Sequence, residues 1–141
     1  MSPAQRIDFV AGFVRDVWTG GRIEACDEYL AAHYTIHHDP GDPWDGQVLD
    51  AAAFKERVRQ SRAPFPDQSF DIRHALAGPD SVAIGWFWSA THAGDLDGFP
   101  ATGRVLRMSG ATVYSIDTGN RICGHWQVAD RLGIFQQLQR R

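Results

Sequence analysis

The chain is short of cysteine, of excess charge of one sign and of long apolar runs, and each shortage removes a class of function. Its two cysteines, Cys26 and Cys123, fit neither a disulfide framework nor a CxxC site and read as ordinary thiols. The formal net charge is only -3 over 141 residues. That gives no electrostatic footprint for a nucleic acid or an anionic membrane surface, so neither is expected as a partner. No apolar run reaches the ~20 residues of a membrane span. The start, Met1-Ser2-Pro3-Ala4-Gln5-Arg6, lacks the charged-then-apolar order of a secretion signal, which makes a cytoplasmic location the default. There is no internal repeat, low-complexity segment or linker. The length fits one domain over residues 1–141 with a core of its own.

Aromatic residues are in good supply, with five Trp and eight Phe. They either fill a core or line a cavity, since ligand pockets favour aromatic walls. Ser2-Pro3 reads as a helix start, and Ile7, Val10, Val14, Val17 and Trp18 form a helical stripe that Thr19-Gly20-Gly21 ends. A second helix is expected over about 22–32. A short extended piece follows at 33–40 and a loop at 40–46. A third helix, capped by Asp50, runs to about Arg62, where Pro64 and Pro66 break it. From there the pattern is of strands at 68–76, 81–92, 104–116 and 121–130, joined by turns, then a last helical turn near 132–138. Helices that precede an antiparallel meander mark an α+β domain, with helices packed on a curved sheet and a cone-shaped pocket between them.

Two strands end an apolar face on a titratable group. Ile122, Gly124, Trp126 and Val128 alternate up to Asp130, and Val82, Ile84, Trp86, Trp88 and Ala90 alternate up to His92. Asp130 either lies beyond the sheet in water, or paired with an arginine, or lines an apolar cavity where its proton affinity would rise. Topology brings His92, Asp130 and Arg104 to one end of the sheet. With both connections centred on their loops, Asp130 falls opposite Arg107, and His92 and Asp130 face opposite sides. A bulge near Ser109-Gly110 would reunite them. His125 alternates away from Trp126 and is expected on the far face. That face, with Phe87, Val105 and Val113, wants cover, which a homodimer packed sheet on sheet would supply. His37, His38, His92 and His125 raise the question of a metal, but a ligand set would need distant pieces, so none is expected.

Several pieces resemble, in order, the SnoaL-like polyketide cyclases of the nuclear transport factor 2-like (cystatin-like) superfamily. They are Tyr34 with His38-Asp39-Pro40, Phe65-Pro66-Asp67, Thr91-His92-Ala93-Gly94-Asp95, Pro100-Ala101-Thr102-Gly103-Arg104, Gly124-His125-Trp126, Asp130-Arg131-Leu132-Gly133 and Gln137-Leu138. The resemblance implies a deep pocket, no metal or organic cofactor, and an intramolecular aldol condensation that closes a ring of a polyketide ester. It places Asp130 at the family's acid/base position and His38 where the family has a polar pocket residue.

The resulting expectation is an acid/base enzyme without cofactor, a cyclase or isomerase for a small apolar carbonyl compound. Asp130 is its base, and His92 or His38 donates to the enolate oxygen. Trp126, Trp88, Phe65 and Arg104 contact the substrate. Two alternatives stand beside it. One is a non-catalytic dimer that binds a small apolar ligand. The other is hydrolysis in the manner of the superfamily's epoxide hydrolases, which use an Asp-Arg-Asp group to activate water.

Overall fold

Ser2 opens the first helix with a reciprocal cap. Its hydroxyl accepts from the Gln5 backbone N–H at 3.1 Å, and the Gln5 side chain accepts from the Ser2 N–H at 2.8 Å. The structure, a computed structural model, describes residues 1–140. Helix α1 (Pro3–Phe13) runs on as a π-helix over Val14–Thr19 and stops at Gly21, whose φ is +69°. The wider π turn leaves carbonyls without helical partners. Arg62 donates to the Trp18 and Thr19 carbonyls, and the Gln68 amide donates to that of Trp18 at 2.8 Å.

The expected second helix is cut short. Only a 3-10 turn (Ile23–Ala25) and α2 (Cys26–Tyr29) form, and Leu30 already belongs to strand β1 (Leu30–His38). The loop from Pro40 returns as β2 (Val48–Asp50), antiparallel to β1, which the sequence pattern had not suggested. Asp50 then caps α3 (Ala51–Arg62) by accepting from the Ala53 N–H at 2.8 Å. The meander follows as β3 (Ser69–Ala77), β4 (Ser81–Thr91), β5 (Val105–Ile116) and β6 (Ile122–Ala129). The last element, α4 (Arg131–Gln139), is a full helix rather than one turn.

The six strands lie in the order β2-β1-β6-β5-β4-β3, so the sheet is open. It is mixed rather than purely antiparallel, because β6 runs parallel to β1. The reason is the route of the chain. After β2 it crosses by α3 to the opposite edge, and the meander then brings β6 back beside β1. The helices cover one face. There Val10, Phe13, Phe54 and Val58 pack with Ile36, Val82 and Ile84 in the core.

Strand β6 carries one extra residue. Ile116 pairs with Ile122 and Ser115 with Gly124, so Cys123 has no ladder partner. The bulge exchanges the faces beyond it. Ile122 points inward, but so do His125 and Gln127, while Trp126 and Val128 are 45% and 43% exposed on the outer face.

Candidate functional site

Between the π-helix, α3, α4 and the inner face of the sheet lies a cavity of about 810 Å³. That is ample for a small organic ligand. Trp18, Phe65, Phe70, Trp86, Trp88 and Ile134 supply apolar wall, and Tyr34, Arg57, Tyr114, His125 and Gln127 supply polar groups. Several wall groups are satisfied by the protein itself. Trp88 Nε1 donates to the Gln68 side-chain oxygen at 3.1 Å, and Trp86 Nε1 donates to the Thr112 hydroxyl at 2.9 Å.

The polar network behind this wall centres on Asp39, which sits just past β1 with no exposed surface. A carboxylate buried to that degree must be paired and hydrogen-bonded. One oxygen lies 2.8 Å from His125 Nε2, and the other is 3.0 Å from Arg131 Nη2. Gln127 Nε2 donates to both at 3.2 and 3.3 Å. Arg57 Nη2 stands 3.5 Å from Asp39 and 3.0 Å from Asp42. The Gln127 amide is held in orientation by Thr112, whose hydroxyl donates to its oxygen at 2.6 Å. On the far side of the imidazole, His125 Nδ1 meets the Tyr34 hydroxyl at 2.6 Å.

Burial alone would push the Asp39 carboxyl up. The His125 hydrogen bond and the Arg131 and Arg57 charges outweigh it and hold Asp39 below its ordinary value. Burial pushes His125 down, against the pull of Asp39 and with help from Arg57. An ionised carboxylate only accepts, so the neutral imidazole carries its proton on Nε2. Its Nδ1 lone pair then accepts from Tyr34. Burial raises the Tyr34 phenol well above its ordinary value, so its proton stays in place at neutral pH. The array Asp39–His125–Tyr34 is therefore a neutral base held by a carboxylate, with a phenol on its lone pair.

Residues 8–138 match the family of SnoaL-like polyketide cyclases. The chain belongs to that family. No curated protein matches it. Among solved structures, a protein described as a candidate polyketide cyclase from Acidithiobacillus ferrooxidans is similar at 54% identity. It has a TM-score of 0.92, over 99% of this chain and 98% of that one. IdmH of Streptomyces antibioticus, described as a candidate polyketide cyclase, is 27% identical with a TM-score of 0.78, over 95% and 98%. AclR of Streptomyces galilaeus, described as a candidate hydroxylase, is 18% identical with a TM-score of 0.81 over 97% of both chains, which shows a shared fold. Membership supports a cyclase- or isomerase-like function for this SnoaL-like chain.

The cavity of this SnoaL-like chain does not take in every residue the sequence singled out. Asp130 is exposed and caps α4, accepting from the Gly133 N–H at 2.9 Å. Its backbone N–H donates to the Ser109 carbonyl at 3.0 Å, so it lies opposite Ser109 rather than Arg107 and faces outward. The bulge sits at Cys123, not at Ser109-Gly110, so His92 and Asp130 stay on opposite faces. His92 is fully buried on the inner face. Its Nδ1 is 3.0 Å from the Thr102 hydroxyl and its Nε2 has no partner, but it does not line the cavity. His38 stacks on Trp126 outside the sheet, with ring centroids 5.0 Å apart. Arg104 reaches the carbonyls of Gln137 and Arg140 at the end of α4. Trp88 and Phe65 do line the cavity, edge to face at 4.9 Å.

The sequence pattern does not single out Asp39, Arg57 or Gln127 as site residues, and it puts His125 on the far face, whereas the structure has His125 and Gln127 lining the cavity. Two signals pointed to them. Asp39 lies in a piece already shared with the family, and a glycine inside a strand, here Gly124, often marks a bulge. Among the described residues, no group of three or more His, Cys, Asp or Glu is arranged to hold a metal ion. No helix among them is long and apolar enough to cross a membrane.

Proposed function

We propose that the chain is an acid/base enzyme that cyclises or isomerises a small apolar carbonyl compound with its own side chains. Tyr34 is the group that meets the substrate, and His125 with Asp39 is the proton store. One observation carries this reading: a buried, neutral histidine, held by a carboxylate and capped by a phenol, opens on an apolar cavity. The Tyr34 oxygen takes a proton from carbon next to a carbonyl as the phenol proton passes to His125 Nδ1. The imidazolium is stabilised by Asp39, which accepts from its other nitrogen. The enolate then attacks a second carbonyl of the same molecule, and the stored proton returns through Tyr34 to the new alkoxide. Each step keeps the proton within hydrogen-bond reach of a named atom. Trp86 and Trp88 offer the ring stacking surface.

The test is hydrogen–deuterium exchange at the acidic carbon of neutral β-keto esters, followed by their cyclisation. We expect the wild type to speed both, and Tyr34→Phe and His125→Gln each to lose about a hundredfold or more, the weight of a positioned acid or base. Variants as active as wild type would remove the relay from the chemistry.

A second reading draws on Arg57, which stands between Asp39 and Asp42 as the arginine of an Asp-Arg-Asp hydrolase would. Both Asp39 oxygens are already occupied, which favours the relay. Oxygen-18 from solvent in the product would mark the hydrolase instead. We also assign Phe87, Val113, Trp126 and Val128, all partly exposed on the outer face, to a homodimer contact. Trp126→Glu is then expected to shift sedimentation from dimer to monomer, and a wild type that sediments as a monomer contradicts the assignment.

A further inference from the structure

Two tyrosines flank His125, and only one is used. Tyr34 stands on β1 with its hydroxyl on Nδ1, while Tyr114 is the direct cross-strand partner of His125 on β5. Paired residues on one face of antiparallel strands keep their Cβ atoms ~5 Å apart. The Tyr114 ring is fixed edge-on by Phe13 at 5.9 Å and lies 6.2 Å from the imidazole. Among the described residues its hydroxyl hydrogen-bonds to nothing, although the side chain lines the cavity. The hydroxyl is not closed off from the cavity and has a proton to donate there.

Arg57 presents the same feature. It is 5% exposed and lines the cavity, and its guanidinium carbon sits 5.1 Å from the Trp18 ring centroid and 5.6 Å from that of Phe54. Both ion pairs to Asp39 and Asp42 use Nη2 alone. The Nε proton is buried with no acceptor, and Nη1 bonds to no protein atom among the described residues. The Tyr114 hydroxyl and the Arg57 guanidinium thus line one cavity, each with donor capacity that the protein does not use.

The charges say what kind of acceptor. Arg57 and Arg131 balance Asp42 on the cavity wall and Asp39 buried behind it, and Asp95 and Asp97 add negative charge to the lining. A permanent anion would meet a site already neutral and ringed by carboxylates. An uncharged carbonyl meets the same site without that repulsion. When its proton moves to the relay, the site gains one positive charge as the substrate oxygen gains one negative, and the balance is kept.

We propose that Tyr114 and Arg57 form the oxygen-binding subsite of this cavity, and that the substrate it takes is an uncharged carbonyl compound whose oxygen they hold as it becomes an oxyanion. This rests on the Asp39–His125–Tyr34 relay as the acceptor of the proton.

The probe is 4-nitrophenol at a pH where the free phenol stays protonated, since its phenolate absorbs at longer wavelength. On binding, the wild type shifts the phenol toward phenolate. Tyr114→Phe and Arg57→Gln each reduce the bound phenolate about ten- to a hundredfold, the worth of a hydrogen bond to a charged group. Arg57→Gln leaves two carboxylates short of a partner and can fail to fold. Arg57→Lys, which keeps the charge, is therefore run beside it and recovers part of the shift, with circular dichroism confirming the fold of each variant. Full ionisation in Tyr114→Phe and Arg57→Lys, or binding by the wild type without ionisation, overturns the subsite. So does 4-nitrobenzoate, a permanent anion, binding as tightly as the phenol. His125→Gln separates the two readings. If it ionises the phenol as the wild type does while Tyr114→Phe does not, the subsite stands and the relay falls.

Discussion

At the scale of the residue, His125, the proposed proton store, is held neutral because burial outweighs the carboxylate beside it. The acid limb of a rate–pH profile should therefore lie below the ordinary histidine range of about 6.5. Its neighbours set the direction of further shifts. Arg57 lowers the imidazole and Asp39 raises it. Arg57→Gln should move the limb to higher pH, and Asp39→Asn should move it lower. Limbs that do not move, or move together, would remove His125 as the titrating group. Asp130 stands outside the proposed relay. It caps α4, so Asp130→Ala should lower stability by about 1 kcal/mol in a denaturant melt and leave turnover unchanged.

At the scale of the element, the bulge at Cys123 decides which side chains of β6 reach the cavity. Gly124 beside it has no room for a side chain, since a Cβ there would lie 2.6 Å from the Thr35 carbonyl oxygen and 3.1 Å from His37. Gly124→Ala should therefore force β1 and β6 apart. We expect a loss of about 1–3 kcal/mol in a urea melt, with a fall in turnover as Tyr34 separates from His125. Wild-type stability in that variant would contradict the close packing. The same bulge explains what was legible in the sequence. Period-two alternation located β4, β5 and β6 and put Trp86, Trp88 and His92 on the inner face. It inverted the faces of β6 beyond Cys123, because one unpaired residue exchanges them and leaves no mark in the pattern beyond a glycine. The capping residues Ser2 and Asp50 were readable because a cap is a local hydrogen bond. The three-residue strand β2 was not, because it exists only through pairing with β1.

At the scale of the whole molecule, the parallel pairing of β1 with β6 makes the site. It joins a carboxylate and a phenol from the first strand region to a histidine from the last strand, so the centre exists only in the completed fold. Stability should follow from the same groups. The folded proton affinity of both His125 and Asp39 is lowered, so the unfolded chain binds more protons on acidification. The His125 share is complete above about pH 6.5 and shrinks as pH falls toward its depressed folded value. The Asp39 share goes at lower pH, as its carboxylate protonates. The melting temperature should fall steadily from neutral to acid pH. His125→Gln should flatten the upper part of that fall, and an unchanged upper slope would contradict a buried neutral imidazole.

The measurement that bears most directly on the account is carbon-acid exchange compared in two variants. Hydrogen–deuterium exchange of a neutral β-keto ester would be followed by NMR with wild type, His125→Gln and Asp130→Asn. The account predicts that His125→Gln loses about a hundredfold or more while Asp130→Asn keeps the wild-type rate. Loss in Asp130→Asn with His125→Gln unaffected would return the chemistry to the end of β6 and contradict the relay.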